Sequence, residues 1–379
     1  MAKTLLPPGC YDLLPPFAKQ ETELLSRLLS SFESYGYAQA SPPLIEYTES
    51  LLAGRGATLS SQVLRLMDAS SHQVMGLRAD ITLQIARIAA SRLADVPLPL
   101  RLSYAGPVLR ASNNGNRGGR QLVQAGIELI GPDTPEADAE VILVAAETLR
   151  RVGLPWFSID LNMPGIALSL LEGEVLDNEQ LKALLHAAAH KDISAISDFP
   201  ISQHKLLAGL IAAAGPADEA LAALKRLDLP PQAASQLRTL ERVAMLVKAA
   251  LPPNVDLTVD VTEARGLEYH TGVTFSFFAE GALGELGCGG RYRIDNGSLR
   301  REATGCTLYM NTLSRLLPTP ALGKRVFIAT PADRGTIAAL HDQGFVTLQA
   351  LPGYATDRVA ASELACTHYF ADGSLEELL

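Results

Sequence analysis

The sequence predicts an α+β protein: an antiparallel sheet with flanking helices, a helical insertion and a small α/β unit at the C-terminus. Residues 101–131 resemble a hairpin, because polar turn-forming residues separate two mostly apolar segments. Residues 165–251 are rich in Ala and Leu at helical spacing, with breaks at DFP, AAGP and LDLPP. From Lys324 onward the pattern suggests strand, helix, strand and a further strand. We therefore expect a body at 1–320 and a small α/β unit at 321–379.

Composition and charge narrow the classes of function. The 379 residues are 47% hydrophobic and 19% charged, which indicates a folded chain with room for two or three domains. A net charge of −9 argues against a general nucleic-acid binder, whose surface is usually basic. No apolar run is long enough to cross a bilayer and no signal-peptide core is present, so we expect a cytoplasmic protein without membrane contact.

Cysteine and histidine spacing gives no sign of a metal site. The four cysteines lie far apart in the sequence. His186 and His190 are four residues apart on a predicted helix, but no third ligand is nearby. We expect reduced thiols, no metal and no other cofactor.

The N-terminal part indicates a long helix followed by extended chain. Apolar residues at helical spacing predict a helix from about Phe17 to Tyr35. Pro42 and Pro43 then exclude a central strand position.

Two strands, around 63–67 and 74–77, precede a helix that runs to about Leu93. Asp80 and Thr82 stand at the start of that helix, where such residues usually serve as caps for backbone N–H groups.

The second strand of the hairpin carries polar residues on one face. Strand side chains alternate, so Gln124, Gly126 and Glu128 share a face. A buried Glu128 would need a cationic partner, which an amino group or an imidazolium could supply. Arg110 ends the first strand and could bring a guanidinium to the same hollow for a carboxylate or a phosphate. The alternative is an ordinary strand with one solvated face.

These elements resemble class II aminoacyl-tRNA synthetases, specifically the histidine-specific member. The hairpin resembles their second motif, and the first helix with its proline-ended strand resembles the first motif, which forms the dimer interface there. RGLEYH at 265–270 resembles the family's Arg-Gly-Leu-Asp-Tyr-Tyr element, and Gly289–Tyr292 resembles its glycine-rich turn. The family's Leu-Arg-Pro-Glu element appears with Ala79 and Asp80 in place of Pro and Glu. The resemblance covers about residues 6–317 and implies the class II fold with its helical insertion.

The resemblance also implies a histidine pocket. Its candidate residues, carried over by position, are Asp80, Thr82, Arg110, Gln124, Glu128, Arg265, Tyr269 and His270. Asp80 and Gln124 are expected at the ammonium group of the ligand. Arg110 and Arg265 are expected at its carboxylate, and Glu128 at its imidazole.

Two groups that hold ATP in the synthetases are absent. The third motif of the family reads Gly-Leu-Glu-Arg, but residues 309–312 here are Tyr-Met-Asn-Thr, so Thr312 replaces the arginine that stacks on adenine. Ser112 replaces an acidic residue that helps to hold adenine. Arg315 leaves a shifted alignment open, although the flanking leucines favour this register. Adenylation requires phosphate and carboxylate placed in line amid positive charge, so we expect none.

The C-terminal unit also departs from a synthetase. It is about half the size of the family's anticodon-binding domain, and from Lys324 it holds four Lys/Arg against seven Asp/Glu. That sign of charge is wrong for gripping RNA phosphates, so no tRNA partner is expected.

A synthetase-like body with a histidine pocket, no ATP contacts and a short tail resembles the regulatory subunits of ATP phosphoribosyltransferase. That resemblance implies a non-catalytic subunit, required for activity of a short catalytic subunit and for feedback inhibition by histidine in the first step of histidine biosynthesis. It also implies a dimer through the body and a hetero-octamer with four subunits of each kind. The alternatives are a divergent histidyl-tRNA synthetase and a synthetase-like accessory binding module.

Overall fold

The computed structural model describes residues 6–53, 59–112, 119–263, 269–297, 299–319 and 323–378. The chain forms two compact units, Met1–Pro318 and Thr319–Leu379. The assignment of separate domains to these units stays a prediction.

A nine-stranded sheet forms the centre of the body. Its strands are β1 Ala38–Gln39, β5 Leu100–Leu109, β6 Gln121–Gly131, β7 Phe157–Asn162, β8 Gly215–Pro216, β9 Val255–Val259, β10 His270–Phe278, β11 Gly287–Asn296 and β12 Leu299–Tyr309. Their order is β1-β5-β6-β12-β11-β10-β7-β9-β8. The pairs from β5 through β7 are antiparallel, and the predicted hairpin is β5 with β6. The predicted antiparallel sheet with flanking helices is confirmed.

Helices cover both faces of this sheet. On one face lie α1 Phe17–Ser34, α4 Pro135–Arg151 and α11 Met310–Leu316, whose apolar side chains join those of alternate β6 residues in the main core. On the other face lies α3 Thr82–Ser91, which packs on β6, β12 and β11 around a second core. Alternate β6 residues face that second side, where α3 leaves room for a cavity.

The predicted helical insertion lies between β7 and β9. It contains α5 Pro164–Leu170, α6 Asn178–Ala189, α7 Ile193–Ser197, α8 His204–Ala212, α9 Ala217–Leu224 and α10 Pro231–Ala250. The start of α6 is fixed by Asp177, which accepts from the backbone of Gln180 while the Gln180 side chain accepts from the backbone of Asp177.

A small sheet stands apart in the body. It consists of β2 Ile45–Tyr47, β3 Leu64–Met67 and β4 Val74–Leu77 in the order β2-β4-β3, beside the short helix α2 Thr48–Leu51. Across the part of the chain that the structure describes, no helix is both long and apolar enough to cross a membrane.

The C-terminal unit has its own four-stranded sheet. Its elements are β13 Arg325–Ile328, α12 Arg334–Asp342, β14 Val346–Gln349, α13 Arg358–Glu363, β15 His368–Ala371 and β16 Ser374–Glu377, with strand order β14-β13-β15-β16. The sequence pattern missed α13 and β16, which are short and largely exposed.

The glycine-rich segment Gly289–Tyr292 lies inside β11, so the predicted turn is wrong. Gly289 pairs with Phe275 on one side and Cys306 on the other. A Cβ on Gly289 would lie 2.1 Å from the carbonyl oxygen of Gly305. These glycines therefore allow close approach of strands, a need that a local pattern does not distinguish from a turn.

Candidate functional site

A cavity of about 1040 Å³ lies on the sheet face that α3 partly covers. Its floor is formed by one face of β6, β12, β11, β10 and β7. Near β6, glycines leave space above the floor because they have no side chain. A Cβ on Gly305 would lie 1.8 Å from Oε2 of Glu128, the residue paired with it on β6. The absent side chain of Gly305 therefore provides the space for the Glu128 carboxyl group.

Glu128 is fully buried and reaches into this cavity. Its Oε2 accepts a hydrogen bond from the Tyr292 hydroxyl at 2.8 Å. Its Oε1 has no partner of normal hydrogen-bond geometry among the described residues. Burial raises the pKa of Glu128 to about 8, although the hydroxyls of Tyr292 and Thr82 pull it partly back. A carboxyl group in this state would gain from a ligand that donates a hydrogen bond or carries positive charge.

Asp80 links the start of α3 to the sheet. Its Oδ1 accepts from the backbone N–H of Thr82, the first residue of α3, at 2.8 Å, and its Oδ2 accepts from Nε2 of Gln124 at 2.9 Å. Gln124 also accepts from the backbone N–H of Ile81 through Oε1 at 3.2 Å. Asp80 and Thr82 line the cavity, whereas both ends of the Gln124 amide are bonded within the protein. Gln124 therefore positions Asp80.

Arg110 brings a positive charge to the cavity. It follows β5 directly, is 9% exposed and lines the cavity, and its Nε has no hydrogen-bond partner within the described ranges. Its backbone N–H and carbonyl both bond to Arg120 across the hairpin, which fixes the side chain's point of attachment. A buried guanidinium of this kind suits a carboxylate or a phosphate.

An aromatic wall closes the side of the cavity next to Glu128. Tyr269 stacks on Tyr292 with ring centroids 5.0 Å apart, and His270 meets the Tyr269 ring edge-on at 5.1 Å. The His270 ring also bonds through Nδ1 to the carbonyl of Arg291 at 3.3 Å. Arg265, the remaining predicted residue, lies outside the described residues.

Sequence reasoning missed two hydroxyl groups near Thr82, those of Tyr104 and Thr307. The Tyr104 hydroxyl lies 3.1 Å from that of Thr82 and 2.6 Å from that of Thr307, so it links α3 to β12. Tyr104 comes from β5 and sits opposite Gly126, where a Cβ would lie 2.4 Å from the phenol oxygen. Strand alternation places Tyr104 and Gly126 on the cavity side, but only the register shows that they meet.

Further residues of the cavity lining lie outside the predicted pocket. Tyr309, which stands where the synthetase motif has glycine, lines the cavity, and its hydroxyl lies 3.1 Å from the Sγ of Cys288. His186 and His190, considered above as metal ligands, stack with ring centroids 4.1 Å apart at the cavity edge. Within the described ranges, no group of three or more His, Cys, Asp or Glu side chains is placed to bind a metal.

Fold and cavity together are those of a histidyl-tRNA synthetase-like protein. The histidyl-tRNA synthetase family model matches residues 9–313. A structure titled ATP phosphoribosyltransferase regulatory subunit/histidyl-tRNA synthetase, from Bacillus halodurans, superimposes with a TM-score of 0.83 at 24% identity, covering 96% of this chain and 97% of its own. An ATP phosphoribosyl transferase complex from Thermotoga maritima contains a chain with a TM-score of 0.60 at 17% identity, covering 76% of this chain and 97% of its own. Both likenesses show the fold.

Sequence similarity then identifies the family within this class. The ATP phosphoribosyltransferase regulatory subunit of Paramagnetospirillum magneticum is 45% identical over 99% of this chain and 98% of its own length. The chain belongs to the family of ATP phosphoribosyltransferase regulatory subunits, as the sequence predicted.

Proposed function

We propose that this chain activates a separate catalytic subunit of ATP phosphoribosyltransferase and passes on feedback inhibition by histidine, without catalysing a reaction itself. The observation that carries the proposal is Glu128, a fully buried carboxyl group with one oxygen open to a cavity. Burying such a group without a partner is unfavourable, so a ligand that completes it is the simplest reason for its presence. The family supplies the identity of the enzyme that this ligand regulates.

Histidine fits the polar groups around the cavity. Its imidazole N–H would donate to Oε1 of Glu128 beside the aromatic wall of Tyr269 and His270. Its ammonium group would meet Asp80, which Gln124 and the helix start hold in place. Its carboxylate would meet Arg110, with Arg265 as the second predicted contact.

The absence of catalysis has support from the nucleotide side. Thr312 and Ser112 lack the charges that hold adenine in the synthetases, and Tyr309 adds a phenol ring to the cavity lining where a synthetase has glycine. A site that lost its nucleotide anchors but kept a charged amino-acid pocket can still act as a sensor, because ligand binding that differs between two states shifts their equilibrium.

Self-association and assembly complete the proposal. We infer a dimer through the body and an assembly of four regulatory with four catalytic subunits. The small sheet and its surroundings support an interface, because Tyr47, Met67 and Val74 are 45%, 62% and 42% exposed. Light scattering of the chain alone and of the mixture would give both masses, and a monomer or a one-to-one heterodimer would contradict this part.

Enzyme kinetics of the mixture test the main proposal. We expect the chain to raise phosphoribosyl transfer to ATP by the catalytic subunit, and histidine to inhibit the mixture. We expect a bound imidazole to hold the Glu128 carboxyl group in its charged form. Glu128→Gln should therefore raise the histidine concentration needed for half inhibition by about tenfold or more, since charged hydrogen bonds in buried sites are worth a few kcal/mol.

A matched variant controls for the exchange of Glu for Gln. Glu302→Gln makes the same substitution on β12, where Glu302 pairs with Arg293 outside the cavity. It should keep both the activation and the histidine sensitivity of the unaltered chain. If the catalytic subunit alone has the same rate and the same histidine sensitivity as the mixture, the regulatory proposal is wrong.

A further inference from the structure

The cavity is longer than a site for one amino acid requires. Glu128 on β6 and Asn162 on β7 stand at the same level of the sheet, joined by the paired residues Gly305, Gly290 and Thr274. Four strand spacings separate them, or about 19 Å. The volume of about 1040 Å³ is at the upper end of the range of pockets that hold drug-sized ligands. A histidine held at Glu128 therefore leaves the β7 end open.

Asn162 presents an unused acceptor at that end. The residue lines the cavity and is 2% exposed. Its Nδ2 donates to the carbonyl of Glu263 at 2.7 Å, which fixes the orientation of the amide. Its Oδ1 has no hydrogen-bond partner among the described residues. A buried amide oxygen normally has a donor, so this one marks a place where a ligand can supply it.

Asp160 lies two residues earlier on the same face of β7. It accepts a hydrogen bond from the Thr258 hydroxyl at 2.5 Å and pairs in register with Ser276 on the cavity floor. Burial raises the pKa of Asp160 to about 6. The ammonium group of Lys191, whose charge acts on Asp160, is bound by Asp260 at 2.6 Å. Among the described residues no ion pair reaches Asp160, so a cation from outside would be well placed there.

The opposite wall of this end carries an ammonium group, that of Lys182, while two further carboxyl groups, those of Glu263 and Glu285, also line the cavity. The helix α6 contributes Lys182 and His186 to the cavity lining, and His190 follows directly after the helix. Phe278 and Leu185 supply apolar surface between this wall and the floor. Acceptors on one side and the Lys182 ammonium group on the other match the two charged groups of a zwitterion, with room for an apolar group between them.

We propose that the β7 end of the cavity, lined by Asp160, Asn162, Lys182, His186, Ser276 and Phe278, is a second subsite that binds a free α-amino acid. The ammonium group of this ligand binds Asp160 and Asn162, and its carboxylate faces α6. This β7 subsite is independent of which ligand occupies Glu128, and it gives one regulatory chain two small-molecule inputs.

Isothermal titration calorimetry of the full chain counts the sites. The chain is titrated with histidine, and the saturated protein is then titrated with each other common amino acid, with methylamine and with acetate. We expect either two histidines per chain in the first titration or one additional site for another amino acid in the second. Methylamine and acetate, which each carry only one of the two charged groups, should bind at least tenfold more weakly.

Two results overturn the proposal. One is a single histidine per chain followed by no binding of any other amino acid. The other is methylamine binding as tightly as the best amino acid, which would assign the β7 subsite to plain amines. Failure of the proposed histidine site is seen separately, as absent histidine binding in the first titration or as histidine affinity that Glu128→Gln leaves unchanged.

Variants locate the additional site. Asp160→Asn keeps the size of the side chain and an acceptor for Thr258, and it should weaken binding at the β7 subsite by about tenfold or more. Asp256→Asn, an exposed position on the adjoining strand β9, removes the same charge away from the cavity and should leave the affinity unchanged. Circular dichroism verifies folding. Lys182→Ala tests the carboxylate side on the exposed face of α6, and full affinity in both Asp160→Asn and Lys182→Ala contradicts the assignment.

Discussion

Two buried carboxyl groups lie against opposite faces of the same sheet, and their surroundings differ in kind. Asp138 of α4 is 1% exposed and is bonded by Arg291 at 2.9 Å and by the Thr304 hydroxyl at 2.6 Å. Glu128 is equally buried but has one hydroxyl donor at normal distance and one open oxygen. The residues that serve them are neighbours in the chain: Arg291 faces Asp138, and Tyr292 faces Glu128.

The difference separates a structural charge from a functional one. Arg291 also donates to the carbonyls of Pro132 and Thr134, so the guanidinium ties β11 to the start of α4 with its bonding capacity used within the protein. On the other face, Oε1 of Glu128 has no hydrogen-bond partner of normal geometry among the described residues. Burial therefore does not distinguish the two roles, whereas the count of bonded oxygens does.

The largest expected effect comes from breaking the completed group. Arg291→Met leaves Asp138 buried without its cation, and we expect the free energy of unfolding to fall by about 3 to 5 kcal/mol. Urea unfolding at pH 7 measures this. The double variant Arg291→Met/Asp138→Asn should recover part of the loss, and an equal loss in both would mean that packing, not charge, is responsible.

Replacing the carboxyl group of Glu128 should increase the stability of the fold instead of lowering it. The folded chain holds Glu128 with a pKa of about 8, so at pH 7 it keeps a proton that the unfolded chain releases. Glu128→Gln removes this cost, and we expect the free energy of unfolding to rise by about 1 to 3 kcal/mol at pH 7 without ligand. The same urea experiment decides it. A clear loss of stability would show that Glu128 serves the fold.

The smallest expected effect is the change with pH in the free energy of unfolding, which the raised pKa of Glu128 causes. Because the folded pKa is raised, the folded state binds more protons than the unfolded state, and stability falls as pH rises from about 4.5 to about 8. The difference between the unaltered chain and Glu128→Gln should widen by up to about 1.4 kcal/mol per pH unit. Measurements at pH 6, 7 and 8 isolate Glu128, because Asp160, with a pKa of about 6, contributes mainly below that range. Parallel curves for the two proteins would contradict the raised pKa.

The sequence predicted the parts of the site that local pattern and resemblance can reach. Strand alternation placed Gln124 and Glu128 on one face, and a helix start at Asp80 and Thr82 followed from ordinary capping chemistry. The shared face and the helix start are both in the structure, because strand alternation and helix starts depend on neighbours in the chain. The N-cap residue itself is Ile81, and it has no side-chain cap. Whether these side chains bind histidine stays a prediction.

The features that the sequence did not predict depend on strand register, which brings together residues far apart in the chain. The segment Gly289–Tyr292 resembled a turn, since nothing local shows that the backbone of Gly305 lies against it. The bond between the Gln124 amide and Asp80, 44 residues away, could not be read from the sequence. Contact of Gln124 with a ligand stays a prediction. Asn162 went unnoticed because an Asn at the end of a strand is unremarkable until its partners are counted.

Gly305 determines how the pocket can respond when it fills. The space for the Glu128 carboxyl group comes from a missing Cβ, so it belongs to the backbone and no side-chain rotation can close it. Pairing of β6 with β12 from Gln124 to Gly131 holds that backbone rigid. We therefore expect the floor to keep the same backbone position whether the pocket is empty or filled. In the proposed function, we expect a signal to a partner subunit to pass through the walls of the pocket, at the start of α3 or at Tyr269.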